Sequence, residues 1–300
     1  MDPLSHSLSG FVSGSFLTKN RALLFVFIIS TLSPDLDIIL RLQSKETFLI
    51  YHRGITHGIL ALFVFPLIPA LILRKKYGLF KVYLISLCGY ALHILLDLTN
   101  QYGTRILCPF DCTPYSLSLT FIIDPYVLLP FLLSVIISLK FKKQSKFFYI
   151  LAIIFVLCYI GLKAYLKTEA RDFLKQKIEA QQYRVYPLPN DFLRWWFVSK
   201  YNDEYITGFV DLFSKKVYID KRYKIINDDA ISKSKDSQSV KALLNIAKHP
   251  VAEAKREGNI TVVTWRELSY GFLPEGRFSA QVWLKEASEG YKIINSKLTI

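Results

Sequence analysis

Four of the five histidines lie within the first 93 residues, and they keep company with carboxylates in a stretch that is otherwise strongly apolar. The set comprises His6; Asp35 and Asp37 in Ser-Pro-Asp-Leu-Asp; His52 and His57 in Tyr-His-Arg-Gly-Ile-Thr-His; and His93 and Asp97 in His-Ile-Leu-Leu-Asp. A carboxylate at the centre of a bilayer costs about 2.5–3.5 kcal/mol on insertion scales, so acids inside apolar spans are rare and by default functional. Imidazoles and carboxylates without cysteine make a donor set for a divalent metal, most simply zinc, with manganese, iron or nickel also accommodated. Seven candidate ligands exceed the needs of one tetrahedral ion and favour a two-metal centre, which generates hydroxide at neutral pH and clamps the oxygens of a displacement at phosphorus or carbon. Arg53, beside His52, is placed either to grip a phosphate or carboxylate bidentately or to anchor at the membrane interface. Arg53 and Asp37 are the candidate catalytic residues, and Asp37 is also a candidate ligand.

The spacings fit such a site. His93 and Asp97 are four apart, which on a helix puts both on one face. Asp35 and Asp37 follow Ser33-Pro34, which caps a short helix or breaks a span, and an extended conformation there would point both acids the same way. His52 and His57 are five apart, with Gly54 and Thr56 between them predicting a turn and then an N-cap, one histidine in the loop and the other in the first helical turn. Other readings stay open at single positions: a local hydrogen bond for His6, and helix capping or an ion path for the Asp pair.

These residues must be positioned by a membrane domain. The chain is 52% apolar and 21% charged, below the quarter usual for soluble proteins. Residues 1–166 carry 15 Lys/Arg and 7 Asp/Glu, against 23 and 17 in residues 167–300, so two halves meet different solvents. Apolar stretches at 22–40, 57–73, 79–98, 121–139 and 147–166 approach the length needed to cross hydrocarbon, and a shorter Ser/Gly-rich stretch at 4–17 supplies a sixth element. Five to six helices are expected. Ten cations, at Lys19/Arg21, Arg74–Lys81 and Lys140–Lys146, fall between spans on one side, and only Arg41, Lys45, Arg53 and Arg105 on the other. Taking the basic side as cytoplasmic brings all seven candidate ligands to the opposite face, although their positions played no part in the assignment. The net charge of +14 is then a positive-inside pattern rather than a nucleic-acid footprint.

Beyond residue 166 a helix over 163–182 leaves the membrane. Period-two alternation then predicts strands at 184–186, 206–213, 216–219, 259–265 and 278–285, with a helix at 237–248 and an exposed loop at 228–238. The expected architecture is an α-helical multi-span domain over 1–166 and a small soluble α+β domain over 167–300, the latter extracytoplasmic and open to a protein partner. Trp195, Trp196 and Phe197 are read as core or interfacial packing, and Tyr102-Gly103-Thr104 as a turn at the end of a span. Cysteine spacing supports no thiolate metal site, and Cys108 and Cys112 are expected as unpaired thiols, with a bridge in an oxidising compartment as the alternative. The start of the chain lacks the basic first region of a secretory signal and is expected to remain in the mature protein.

Asp-Pro-x-x-His, Pro-Asp-x-Asp, His-Arg-Gly-x-Thr-His and His-x-x-x-Asp followed by Tyr-Gly-Thr resemble, over roughly residues 1–125, the membrane-bound metal-dependent hydrolases, also described as LexA-binding, inner-membrane-associated hydrolases. The resemblance implies a multi-pass plasma-membrane protein whose polar family positions fall on His6, Asp35, Asp37, His52, Arg53, His57, His93 and Asp97, with Asp2 a further candidate. The His-x-x-x-Asp pair is similar in spacing to zinc-dependent phospholipases C. The expected activity is hydrolysis of a phosphoester or lipid-like substrate at the membrane surface. Without His-Glu-x-x-His, peptide hydrolysis is disfavoured. The alternatives are a non-catalytic membrane protein that senses or transports a divalent ion or protons, and a regulatory partner protein acting through residues 167–300.

Overall fold

The computed structural model describes residues 1–274, 276–287 and 290–300. Two units can be distinguished: one of Met1–Ile38, His52–Leu166 and Pro187–Phe192, the other of Ile39–Tyr51, Lys167–Tyr186 and Leu193–Ile300.

The first unit is helical. α1 (Pro3–Leu17) starts where the Asp2 side chain accepts from Ser5 N and proline fills the first helical position. α2 (Arg21–Leu32) is capped by Asn20, whose side chain accepts from Ala22 N and Leu23 N. At Ser33-Pro34 the helix tightens into a 3-10 segment, Ser33–Leu42. Next along the chain come α3 (Lys45–Tyr51), which belongs to the second unit, then a 3-10 turn at Ile55–His57, α4 (Ile59–Val64), α5 (Leu67–Tyr77) and the 21-residue α6 (Leu79–Thr99). α7 (Pro125–Lys140), capped by Asp124, and the 33-residue α8 (Ser145–Lys177) complete the helices of this region.

Three helical stretches are long and apolar enough to cross a membrane: Arg21–Leu42, Leu79–Thr99 and Lys142–Lys177. A fourth is reached if Lys45–His57 and Ile59–Tyr77, bent by 51°, are counted as one. The expected single span at 57–73 is therefore broken, first at Gly58 and again where Pro66 separates α4 from α5. α7 has 16 residues, about 24 Å at the helical rise and short of a hydrocarbon core of about 30 Å.

In a bilayer the drive for helix association is close packing rather than apolar burial, and small residues permit it. A Cβ at Gly89 of α6 would sit 2.6 Å from the Phe27 carbonyl of α2, and one at Gly10 of α1 would sit 2.9 Å from Thr31 Oγ1. These contacts draw α1, α2 and α6 together. Leu23, Val26, Phe27, Ala70, Val82 and Ile85 fill the space between α2, α5 and α6.

The second unit contains two four-stranded antiparallel sheets. The first has order β1-β2-β3-β4, from β1 (Gln182–Pro187), β2 (Arg194–Tyr201), β3 (Glu204–Asp211) and β4 (Lys216–Lys224). The second has order β5-β6-β7-β8, from β5 (Pro250–Glu257), β6 (Ile260–Glu267), β7 (Ser279–Ala287) and β8 (Gly290–Thr299). Trp195, Trp196 and Phe197 are buried in β2, and the Trp196 indole donates to the Leu268 carbonyl. The expected loop at 228–238 contains a helix, α9 (Asp229–Ser234), because Asp228 caps it and Ala230, Ile231 and Ser234 are buried. α10 (Gln238–Leu244) follows, and α3 joins this unit, with Ser239 Oγ donating to Glu46 and Asn245 Nδ2 to the Ile50 carbonyl.

Candidate metal centre

The 21 residues of α6 carry His93 and Asp97 one helical turn apart, and their Nε2 and Oδ2 atoms lie 3.4 Å from each other. α2 supplies the backbone carbonyl of Thr31, which accepts from His93 Nδ1 at 2.7 Å. Because a carbonyl only accepts, Nδ1 bears the proton and the Nε2 lone pair is left to face the cluster.

His57 is fixed by similar logic. The Thr56 hydroxyl donates its one proton to Asp37 Oδ2 at 2.9 Å, so towards His57 Nδ1, 3.0 Å away, it can only accept. As a neutral imidazole His57 therefore also presents an unprotonated Nε2, and that atom lies 3.1 Å from Nε2 of His93. Two lone pairs at that distance repel unless a proton or a metal ion stands between them. Two carboxylates complete the ring: Asp35 Oδ1 is 3.4 Å from His57 Nε2 and 3.6 Å from His93 Nε2, and Asp97 Oδ2 is 3.4 Å from each. Asp97 Oδ2 is fully buried with no hydrogen-bond partner among the described residues.

The donor set fits a metal by its own dimensions. Five of the six separations among these atoms run from 3.1 to 3.6 Å. A tetrahedron with edges of about 3.4 Å has its centre about 2.1 Å from each corner, the length of a zinc–imidazole or zinc–carboxylate bond. Asp35, His57, His93 and Asp97 thus form one four-residue group, and Asp35, Asp37 and His52 form a second whose ligand atoms lie within 4.8 Å of one another. Asp35 belongs to both.

The two acids of Ser-Pro-Asp-Leu-Asp do not point the same way as expected. The segment is 3-10 helical rather than extended, and positions two apart on such a helix diverge. Asp35 turns to His57 and His93, while Asp37 accepts from His52 Nδ1 at 2.8 Å, Arg53 N at 3.0 Å and the Thr56 hydroxyl. Asp37 thereby ties down the whole His52–His57 loop, in which Arg53 holds a left-handed φ of 54°. Thr56 does not cap α4, whose N-cap is Gly58; it bridges Asp37 to His57 instead.

His6 reaches the site from α1 and contacts Asp97 Oδ1 at 3.2 Å, its ring stacked on His93 at 3.8 Å. It lies outside both four- and three-residue groups. Arg53 is buried, and its guanidinium donates to Asp97 Oδ1 at 3.0 Å, Asn100 Oδ1 at 3.1 Å and the Tyr102 carbonyl at 3.0 Å. Much of its hydrogen-bonding capacity thus orients Asp97 and the chain beyond α6. Asp2, a further candidate, caps α1.

Thr31, Thr56, Asn100 and Tyr102 shape the site and were not read as functional from sequence. The Thr31 contribution is a backbone carbonyl, which leaves no trace in residue type. The Tyr102 ring lies 5.1 Å from the Arg53 guanidinium and 5.7 Å from the His52 ring, and burial pushes its hydroxyl up to about 12. Cys108 and Cys112, expected as unpaired thiols, are bonded to one another, their Cα atoms 4.6 Å apart. Their loop packs on the ligand loop: Arg105 N donates to the Arg53 carbonyl, Ile59 N to the Ile106 carbonyl, and a Cβ at Gly58 would collide with the Cys108 carbonyl.

The model of the YdjM inner membrane protein family matches residues 1–170, which include every candidate ligand. A curated relative, "Uncharacterized protein YfhP" of Bacillus subtilis (strain 168), is 29% identical over 150 residues, covering 46% of this chain and 46% of the relative. The match thus spans about half the length of that relative. No solved structure matches. The family's description states inner-membrane location and names neither a metal, a reaction nor LexA.

Proposed function

The chain belongs to the YdjM inner membrane protein family, and from that premise we propose that it is a metal-dependent hydrolase cleaving phosphoester groups at the membrane surface. One observation carries the reading: two imidazoles, each donating through Nδ1, face one another through Nε2 at 3.1 Å with two carboxylate oxygens beside them. That is a cation site, buried where an apolar protein would otherwise have no reason to gather charge.

Asp35, His57, His93 and Asp97 would hold the first ion, and Asp35, Asp37 and His52 a second, with Asp35 shared. Zinc suits this donor set best. A bound divalent ion supplies Lewis acidity and, from water, a hydroxide nucleophile near neutral pH. The chain's own residues do the rest. Thr31 and Thr56 fix the histidine tautomers, Arg53 and His6 hold Asp97 by its Oδ1 so that Oδ2 faces inward, and Asp37 anchors the loop that delivers His57.

The ligand end of α6 is assigned to the extracytoplasmic face. The Cys108–Cys112 bond belongs to an oxidising compartment, and the basic segments 74–81 and 140–146 fall at the other ends of their helices. The chain beyond α8 is assigned to the same compartment as the disulfide.

The test is hydrolysis by detergent-purified protein of bis(p-nitrophenyl) phosphate and of a phospholipid, after metal stripping and after zinc or manganese is returned. Cleavage that appears with the metal and is lost in Asp97→Asn supports the reading. Metal-replete protein that cleaves neither substrate yet moves the ion across vesicle membranes overturns it in favour of transport.

A further inference from the structure

The segment after α6 is a turn, as the sequence predicts, with Tyr102 N donating to Asn100 Oδ1, but it also carries buried polar atoms that the turn does not use. Asn100 and Thr104 are fully buried, and the segment is pinned at both ends by backbone bridges, Asn100 to Thr120 and Thr104 to Tyr115. Asn100 and Tyr102 are drawn together at Arg53, whose Nη1 donates to Asn100 Oδ1 and to the Tyr102 carbonyl and whose guanidinium lies 5.1 Å from the Tyr102 ring, and Thr104 follows two residues on. Asn100 Nδ2, Tyr102 OH, Thr104 Oγ1 and the neighbouring Arg53 Nε are all buried with no hydrogen-bond partner among the described residues. The orientation of the Asn100 amide is determined, since its Oδ1 accepts from both Arg53 Nη1 and Tyr102 N. Burying one such donor unpaired costs roughly 1–3 kcal/mol, and natural proteins leave few of them without water, ion or ligand.

These four groups share one chemistry: each donates, and two of them, the amide Nδ2 and the guanidinium Nε, can do nothing else. They adjoin both ligand groups, because Arg53 bonds Asp97 of the first and the Tyr102 ring lies against His52 of the second. The positive charge of the Arg53 guanidinium disfavours a cation here, and a single carbonyl oxygen would leave most of the donors unsatisfied. We infer that Asn100, Tyr102, Thr104 and Arg53 form the binding site for the oxygens of a phosphoryl group, which they hold beside the metal ligands. The inference rests on the hydrolase reading for its substrate, and it assigns recognition to residues outside the His/Asp motifs.

The experiment measures binding rather than turnover. Zinc-loaded, detergent-solubilised wild type, Tyr102→Phe and Thr104→Val are titrated calorimetrically with inorganic phosphate and with dihexanoyl phosphatidic acid, and the zinc content of each is measured in parallel. Neither hydroxyl supports a partner in the fold, so a purely structural role predicts no loss from either substitution. The binding role predicts that each weakens phosphate affinity about tenfold or more, as expected for a lost hydrogen bond to a charged acceptor, with zinc content unchanged. Phosphatidic acid binding more tightly than phosphate identifies a lipid headgroup as the source of the anion, and equal affinities identify a soluble phosphoester. Variants that bind phosphate as wild type does, or a zinc-loaded wild type that binds neither ligand, overturn the inference while leaving the metal centre standing. Phosphate binding that depends on Tyr102 in a protein that takes up no zinc leaves the anion site standing and overturns the hydrolase reading instead.

Discussion

Replacing Thr56 by valine keeps the β-branched shape and removes one oxygen, which makes it a sharp probe of how the centre is built. That oxygen donates to Asp37 Oδ2 at 2.9 Å and accepts from His57 Nδ1 at 3.0 Å. In its absence Asp37 Oδ2, 3.8 Å from His57 Nδ1, lies beyond hydrogen-bond range. Arg53 N still reaches that carboxylate oxygen at 3.0 Å, so the loop keeps its main anchor. The loss falls on the His57 tautomer and ring orientation. Outer contacts of this kind are worth about 10–100-fold in metal affinity, equivalent to about 1.4–2.7 kcal/mol. A hydrogen bond to a charged acceptor also contributes about 1.5–3 kcal/mol, so a lowered melting temperature is expected as well. The assay is zinc competition against a chelating indicator using metal-stripped protein in detergent, with Thr56→Ser as the control that retains the hydroxyl. The serine variant should bind within a few-fold of wild type. A valine variant that binds zinc with wild-type affinity would refute the tautomer argument, and with it the claim that His57 offers a lone pair through Nε2.

Three further outcomes are expected. Gly89→Ala places a methyl 2.6 Å from the Phe27 carbonyl, forcing α2 and α6 apart and disturbing the Thr31–His93 contact; it should cost about 1–3 kcal/mol, seen as a lower melting temperature in detergent together with weaker zinc binding. Mass spectrometry after alkylation without reductant should leave Cys108 and Cys112 unmodified and label them only after reduction, and labelling of both without reductant would contradict the extracytoplasmic assignment. His249 is held down at about 4, chiefly by burial and then by Lys248 and Arg184. The unfolded chain, with an ordinary pKa near 6.5, therefore binds this proton first. Its stabilising contribution is complete above about pH 6.5 and declines by about 3 kcal/mol as the pH falls towards 4. All four tryptophans lie in the second unit, so the denaturation midpoint read by their fluorescence should fall over that window in wild type more than in His249→Gln.

The site was legible in sequence where chemistry is written in residue type, and illegible where it is written in backbone. Histidines and acids in apolar stretches identified the cluster because intramembrane charge is costly, and the four-residue spacing of His93 and Asp97 placed both on one helical face. The divergence of Asp35 from Asp37 was missed because Pro34 signals a break without saying whether the chain goes on extended or 3-10. The carbonyl of Thr31 is invisible to any reading of side chains, and the donors of Asn100, Tyr102 and Thr104 look like an ordinary turn until their burial is known. In the second unit the strands β1, β3, β4, β6 and β7 were readable. By contrast β2 was hidden by the run Trp195–Val198, buried on both faces and so without alternation. Three to four candidate spans are recognised by length and composition against the five to six helices expected, because apolar runs at 57–73 and 121–139 announce hydrophobicity but not breaks or length.

The central claim is that Asp35, His57, His93 and Asp97 bind a divalent ion, and metal analysis of the detergent-purified protein tests it most directly. Wild type should retain at least one equivalent of zinc or another divalent transition metal through gel filtration, and His57→Ala/Asp97→Ala should elute at the same volume with its metal lost. A wild-type protein that elutes folded and takes up no metal after exposure to zinc, manganese, iron or nickel would contradict the account.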